Sequence, residues 1–115
     1  MSILENYTIA FLVLQLFHSA EELSQGFHKR FPFGKLTFKN FLTFEVLFMG
    51  LWLTIFMVKS FPYRENILAF YLLLMFANGI WHIVWWGIEK KYVPGLITAP
   101  FFILVFVVYY NQLIH

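Results

Sequence analysis

Tyr7-Thr8-Ile9-Ala10-Phe11-Leu12-Val13-Leu14-Gln15-Leu16-Phe17-His18-Ser19-Ala20-Glu21-Glu22 is the stretch whose reading decides the fold. A mostly apolar run closes on one imidazole and two carboxylates. In a helix His18 lies one turn from both Glu21 and Glu22, so the imidazole and at least one carboxylate share a face. If the run crosses a bilayer, each ionised side chain near the centre costs about 2.5–3.5 kcal/mol before any partner offsets it. That face must point at protein, not at lipid. The run reaches the spanning length of about 20 residues only if positions 18–22 count as part of it, so a helix is expected over 7–27 with the motif inside the membrane, near its C-terminal end.

The whole chain fits this reading. Its 115 residues are 61% hydrophobic and 12% charged, against about 45–50% and 25% for a soluble domain. The composition implies an all-α integral membrane protein, and the length suits a single domain, a bundle of four transmembrane helices with short loops. The first segment has Glu5 before its apolar run, no Lys or Arg there, and no small-residue cleavage site after it, so it is expected to stay as a mature helix. There is no cysteine, which leaves chemistry to His, Glu, Asn, Thr or Tyr. A net charge of +2 gives no reason to expect a nucleic-acid partner.

Further helices are expected over 40–61, 66–89 and 96–113. Gly26 and the run from His28 to Lys35, with its Lys, Arg, Pro and Gly, break the first from the second; Pro62-Tyr63-Arg64-Glu65 precedes the third; Pro94-Gly95 precedes the fourth, with Pro94 as a first-turn residue. Gly50, Gly79 and Gly87 are expected to let helices approach closely. Lys29, Arg30, Lys35, Lys39, Lys90 and Lys91 occupy the first and third connections, against Lys59 and Arg64 near the second. By the positive-inside rule the first and third connections are cytoplasmic and both termini extracytoplasmic, in a plasma (inner) membrane.

Counting at 1.5 Å per residue from each expected helix start puts His18 at about 16 Å and Glu22 at about 22 Å from the outer face, and Asn78 at about 18 Å and His82 at about 24 Å. Glu45, entering from the inside, comes to about 22 Å in a slab about 30 Å thick. Thr98 reaches the inner edge of the same layer. Snorkelling or capping charges have no need to agree in depth across three helices, so His18, Glu21, Glu22, Glu45, Asn78, His82 and Thr98 are the expected catalytic set.

Two chemistries suit it. His18, His82 and one of Glu21 or Glu22 make a two-imidazole, one-carboxylate set that fits zinc with a position open for water, or ferrous iron with positions open for oxygen. Asn78 then contacts the substrate or supports a ligand from behind, and Glu45 is another ligand or a general base. Without metal, a desolvated carboxylic acid paired with His moves protons within an apolar substrate.

His18-x-x-Glu21-Glu22, Asn78-x-x-x-His82 and Tyr92-x-Pro94-Gly95-Leu96-x-Thr98, in this order, resemble the HXXEE-domain proteins over almost the whole chain. The resemblance implies a small multi-spanning membrane protein whose polar motifs suggest an enzyme. It supports the site residues, says little of the reaction, and covers no motif containing Glu45. A looser likeness to membrane-embedded sterol isomerases is analogy alone.

Plainer readings stand beside these. His18 can bond a neighbouring helix, Glu22 can pair with Lys29 or Arg30 at the headgroups, and Glu45 can pair with Lys39 or Lys35. Asn78 and His82 can serve as interhelical glue. Trp81, Trp85 and Trp86 suit packing and interfacial anchoring, although Trp81 and Trp85 share a face that can wall a cavity beside His82. The expected function is a membrane enzyme acting on a lipid or other apolar small molecule. The alternatives are a proton or ion transporter or channel using the same residues, which four helices would more readily build as a homo-oligomer, and a non-catalytic lipid-binding protein.

Overall fold

A computed structural model describes residues 2–115. Four α-helices and one short turn of 3-10 helix make up its regular structure, with no strand among the described residues: α1 (Ile3–Ser24), the 3-10 turn (Phe27–Lys29), α2 (Phe38–Met57), α3 (Arg64–Glu89) and α4 (Ala99–Ile114).

Local chemistry explains where the ends differ from expectation. α1 starts at Ile3 instead of Tyr7 because Ser2 and Glu5 form a capping box: the Ser2 hydroxyl accepts from the Glu5 amide at 3.1 Å, and the Glu5 carboxylate accepts from the Ser2 amide at 3.2 Å. It ends at Ser24, two residues before Gly26 takes a left-handed φ of 75°. Thr37 caps α2 by accepting from the Asn40 amide at 3.1 Å. α2 stops at Met57, not at 61. Arg64 folds back to donate to the carbonyls of Ile55 and Phe56, placing a cation on the open C-terminal end of α2, and its other branch pairs with Glu5 at 3.1 Å. α4 begins at Ala99, not at 96, so Pro100 occupies the first turn and Pro94 belongs to the preceding loop.

The polar layer lies between two apolar clusters. Phe11, Leu12, Trp52, Ile55, Leu68, Tyr71, Leu72, Met75, Phe102 and Tyr109 draw all four helices into the larger one. Phe27, Phe41, Trp85 and Val93 form the smaller. Gly79 sets the approach of α3 to α4: a Cβ there would stand 2.7 Å from the Ala99 carbonyl oxygen and 3.2 Å from the Phe102 Cβ. Gly50 and Gly87, expected to do the same, face open space instead, with nothing within 4 Å of an added Cβ.

Two helices, α2 and α3, are long and apolar enough to cross a membrane. α4, at 16 residues, is apolar but shorter, and α1 carries Glu5, Glu21 and Glu22.

Candidate metal centre

Along α1, Gln15, His18 and Glu22 follow one another at three- and four-residue steps and are all buried. His18 and Glu22 are one turn apart, with His18 Nε2 3.6 Å from Glu22 Oε2. His82, buried on α3, brings its Nε2 to 3.3 Å from the same carboxylate oxygen. The two imidazoles meet edge to face, centroids 4.7 Å apart at 85°. One ligand atom from each of the three residues lies within 4.8 Å of the others.

These residues fit a transition metal. Nitrogen and oxygen ligands at about 2.0–2.1 Å from a tetrahedral ion stand about 3.3 Å from one another. The Glu22 contacts already have that separation, and the imidazole pair needs to close by at most about 1.5 Å.

A network behind His18 fixes its orientation. The Glu21 carboxylate accepts from the Thr98 hydroxyl at 2.8 Å, the Thr98 amide at 2.9 Å, the Ile97 amide at 3.0 Å and the Tyr92 hydroxyl at 2.5 Å. Two of these partners are backbone amides that can only donate, one to each carboxyl oxygen, which favours the carboxylate, and an ionised Glu21 takes the single Thr98 hydroxyl proton. The Thr98 oxygen therefore accepts from His18 Nδ1–H, 2.6 Å away. With Nδ1 protonated, Nε2 carries a lone pair, and this buried atom makes no well-formed hydrogen bond, although the Asn78 side chain lies near His18. It is turned toward Glu22.

Tyr92, in the loop before α4, feels the other side of this arrangement. Burial first, then the bond to the Glu21 carboxylate, push its phenol above the usual range. The loop also backs the second imidazole: His82 Nδ1 is buried against the Pro94–Gly95 backbone, without a well-formed hydrogen bond. Gly95 adopts φ 95°, and a Cβ there would fall 2.5 Å from His82 Cε1 and 2.8 Å from His18 Cε1. Only a glycine lets the loop close on both rings.

Beside these three residues, Glu45 accepts from the Ser19 hydroxyl at 2.6 Å and adjoins Glu22. A cavity of about 390 Å³ opens here. Glu22, Glu45, Asn78 and His82 form its polar floor, and Phe27, Phe31, Leu36, Phe41, Phe44 and Trp81 its walls. A smaller space of about 70 Å³ continues from the same carboxylates to His18, Ser19 and Gln15. The Asn78 carbonyl oxygen and the Gln15 amide nitrogen, both buried without a partner, belong to residues that line it.

The structure thus brings His18, Glu22 and His82 together, with Glu45 and Asn78 on the cavity. Thr98 and, through it, Glu21 join the cluster from behind, on the Nδ1 side of His18. Neither lines these two spaces, and of the two glutamates, one of which was expected as the carboxylate ligand, Glu21 is turned toward the 92–98 loop because successive helix residues point about 100° apart. Glu22 does not pair with Lys29 or Arg30. Arg30 instead binds Glu89 at 3.0 Å, and its other branch donates to the Tyr92 carbonyl. Trp81 walls the cavity, whereas Trp85 packs in the smaller apolar cluster. Gln15, Ser19 and Gly95 are site residues that the sequence reading missed. The 15–18–22 spacing was a usable signal for Gln15, but nothing local marks Gly95 as the residue backing two histidines.

Fold and site define a small all-α protein of four helices with a buried His–Glu–His cluster. It belongs to the family described as "Protein of unknown function with HXXEE motif", whose match spans residues 9–110, with His18, Glu21 and Glu22 as the named motif. No curated protein and no solved structure matches the chain.

Proposed function

We propose that this protein is an integral membrane enzyme that holds a zinc or ferrous ion on His18, Glu22 and His82 and acts on a lipid or other apolar molecule. The observation that carries the proposal is the convergence of three buried ligand atoms from two helices, His18 and Glu22 on α1 and His82 on α3.

Membrane residence is supported by the outer surface. Large apolar side chains face outward on every helix, among them Phe17, Leu47, Ile88 and Leu104, each more than 60% exposed. In α2 and α3 only 22% and 33% of the most apolar window is buried inside the protein, too little for core helices of a soluble domain. Both termini are extracytoplasmic in this reading, and the site lies in the cytoplasmic half.

An apolar substrate is supported by the aromatic walls around a polar floor. Its polar end sits at the ion, its body among Phe27, Phe41, Phe44 and Trp81, and it enters laterally or from the cytoplasmic leaflet. A bound ion supplies Lewis acidity and an activated water. Asn78 orients the substrate's polar group through its free carbonyl oxygen, and Glu45, held by Ser19, is placed to accept or return a proton.

One observation favours a second reading. Adjoining Glu22 and Glu45, linked to Ser19, also suit a proton or ion relay.

The test is elemental analysis of purified wild type, His18→Gln and His82→Gln, with lipid extracts of cells making wild type or His18→Gln. About one ion per chain is expected in wild type and none in the folded variants, with a lipid that changes only under wild type. A metal-free wild type overturns the metal centre. Unchanged extracts, with ion flux through wild-type liposomes that His18→Gln abolishes, move the assignment to transport, and unchanged extracts without flux leave lipid binding.

A further inference from the structure

The motif contains two adjacent glutamates, and a helix cannot aim both at one point. Glu22 turns to the imidazoles; Glu21 turns to the loop before α4 and receives all four of its hydrogen bonds there. We infer that Glu21 is a positioning residue: acting through the Thr98 hydroxyl, it holds His18 in the tautomer that presents Nε2 to Glu22 and His82. The division of labour explains why the motif needs both carboxylates, one to sit at the centre and one to stand behind it.

Each link in the relay depends on its neighbour. Thr98 has a single hydroxyl proton, and the Glu21 oxygen at 2.8 Å is a stronger acceptor than the Gly95 carbonyl at 3.3 Å. Spending that proton on Glu21 leaves only the oxygen lone pairs for His18 Nδ1. If Glu21 were an amide, its NH₂ could donate to Thr98, the hydroxyl proton could turn to Nδ1, and the imidazole proton would move to Nε2, closing the face that looks at Glu22. The ring itself cannot turn away, being packed edge-on against Phe102 and His82. Carboxylate, hydroxyl and imidazole in series is a general way of setting the basicity and orientation of a ligating histidine.

The tautomer claim stands on hydrogen-bond geometry alone, whereas its effect on metal affinity rests on the centre proposed above. The experiment separates them. Protein labelled with ¹⁵N-histidine is prepared metal-free, at a pH where imidazole is neutral, and the His18 signals are identified by their loss in His18→Gln. Wild type is expected to show Nδ1 protonated and Nε2 bare. Thr98→Val, which replaces the hydroxyl by a methyl of similar size, and Glu21→Gln are expected to lose that preference, and Thr98→Ser to restore it. Zinc affinity, measured by chelator competition, should fall about 10–100-fold in Thr98→Val and Glu21→Gln and recover in Thr98→Ser. If Glu21→Gln does not fold, Thr98→Val against Thr98→Ser decides. A wild-type tautomer in Thr98→Val, or stability lost with the tautomer unchanged, overturns the inference. A tautomer that responds as expected in a protein that binds no zinc overturns the metal centre and leaves the positioning role standing.

Discussion

Replacing Gly95 by alanine tests how tightly the site is closed from behind. The added methyl would stand 2.5 Å from His82 Cε1, 2.8 Å from His18 Cε1 and 2.8 Å from His82 Nδ1, well inside the roughly 3.5–4.0 Å at which carbon atoms rest. Neither ring can retreat freely, because His18 is held by Thr98 and Phe102 and His82 packs near Trp85 and Phe27. A side chain at a φ of 95° adds roughly 1–2 kcal/mol of backbone strain, and overpacking costs about 1–3 kcal/mol. The sum, about 2–5 kcal/mol, corresponds to a drop in Tm on the order of 10 °C. Gly50→Ala is the control: it lies inside α2 with open space around it, and the helix should gain about 0.5–1 kcal/mol. Thermal unfolding in detergent by circular dichroism, with zinc competition on the same samples, reads both effects. Gly95→Ala unfolding with wild type and binding zinc equally well would refute the reasoning, as would an equal loss in Gly50→Ala.

Glu22→Gln is expected to abolish zinc binding while the metal-free protein unfolds at or above the wild-type temperature, since a carboxylate in an apolar layer is costly; a loss beyond about 3 kcal/mol, typical of breaking a needed buried pair, counts against this. Tyr92 carries a pH signature. Its raised phenol stays protonated in the folded chain while the unfolded chain ionises above the usual value of about 10. The stability it contributes is therefore full below about pH 10 and lost as pH rises past it. Tyr92→Phe should unfold less steeply with rising alkaline pH than wild type, and equal slopes would contradict the assignment. Reporter fusions should find both termini outside the cytoplasm, with the basic connections at 28–39 and 90–91 inside, and a terminal reporter active only in the cytoplasm would reverse the topology.

Periodicity and depth made much of this arrangement legible. His18 and Glu22 lie on one helical face, Asn78 and His82 on another, and a shared depth was enough to expect them to meet. What stayed hidden came from two sources. Helix ends answer to caps as well as to hydrophobicity: Ser2 with Glu5 extends α1 outward, and Arg64 closes α2 four residues early, although Ser-x-x-Glu was there to be read. Side-chain direction within a turn was the second. Glu21 and Glu22 both lie one turn from His18, and only the course of the 92–98 loop, which brings four donors to Glu21, shows which of the two faces the imidazole pair. Gly95 was readable as a turn residue, but its service to two histidines 13 and 77 positions away appears only in three dimensions.

X-ray absorption at the metal edge of wild-type protein, purified without chelator from cells supplied with zinc and iron, tests the central claim most directly. The account predicts a first shell of nitrogen and oxygen at about 2.0–2.1 Å for zinc, or somewhat longer for iron, with the outer-shell scattering of two imidazoles. That imidazole scattering should halve in any metal retained by His82→Gln. A wild-type protein without metal, or a metal whose shell lacks imidazole, would contradict it.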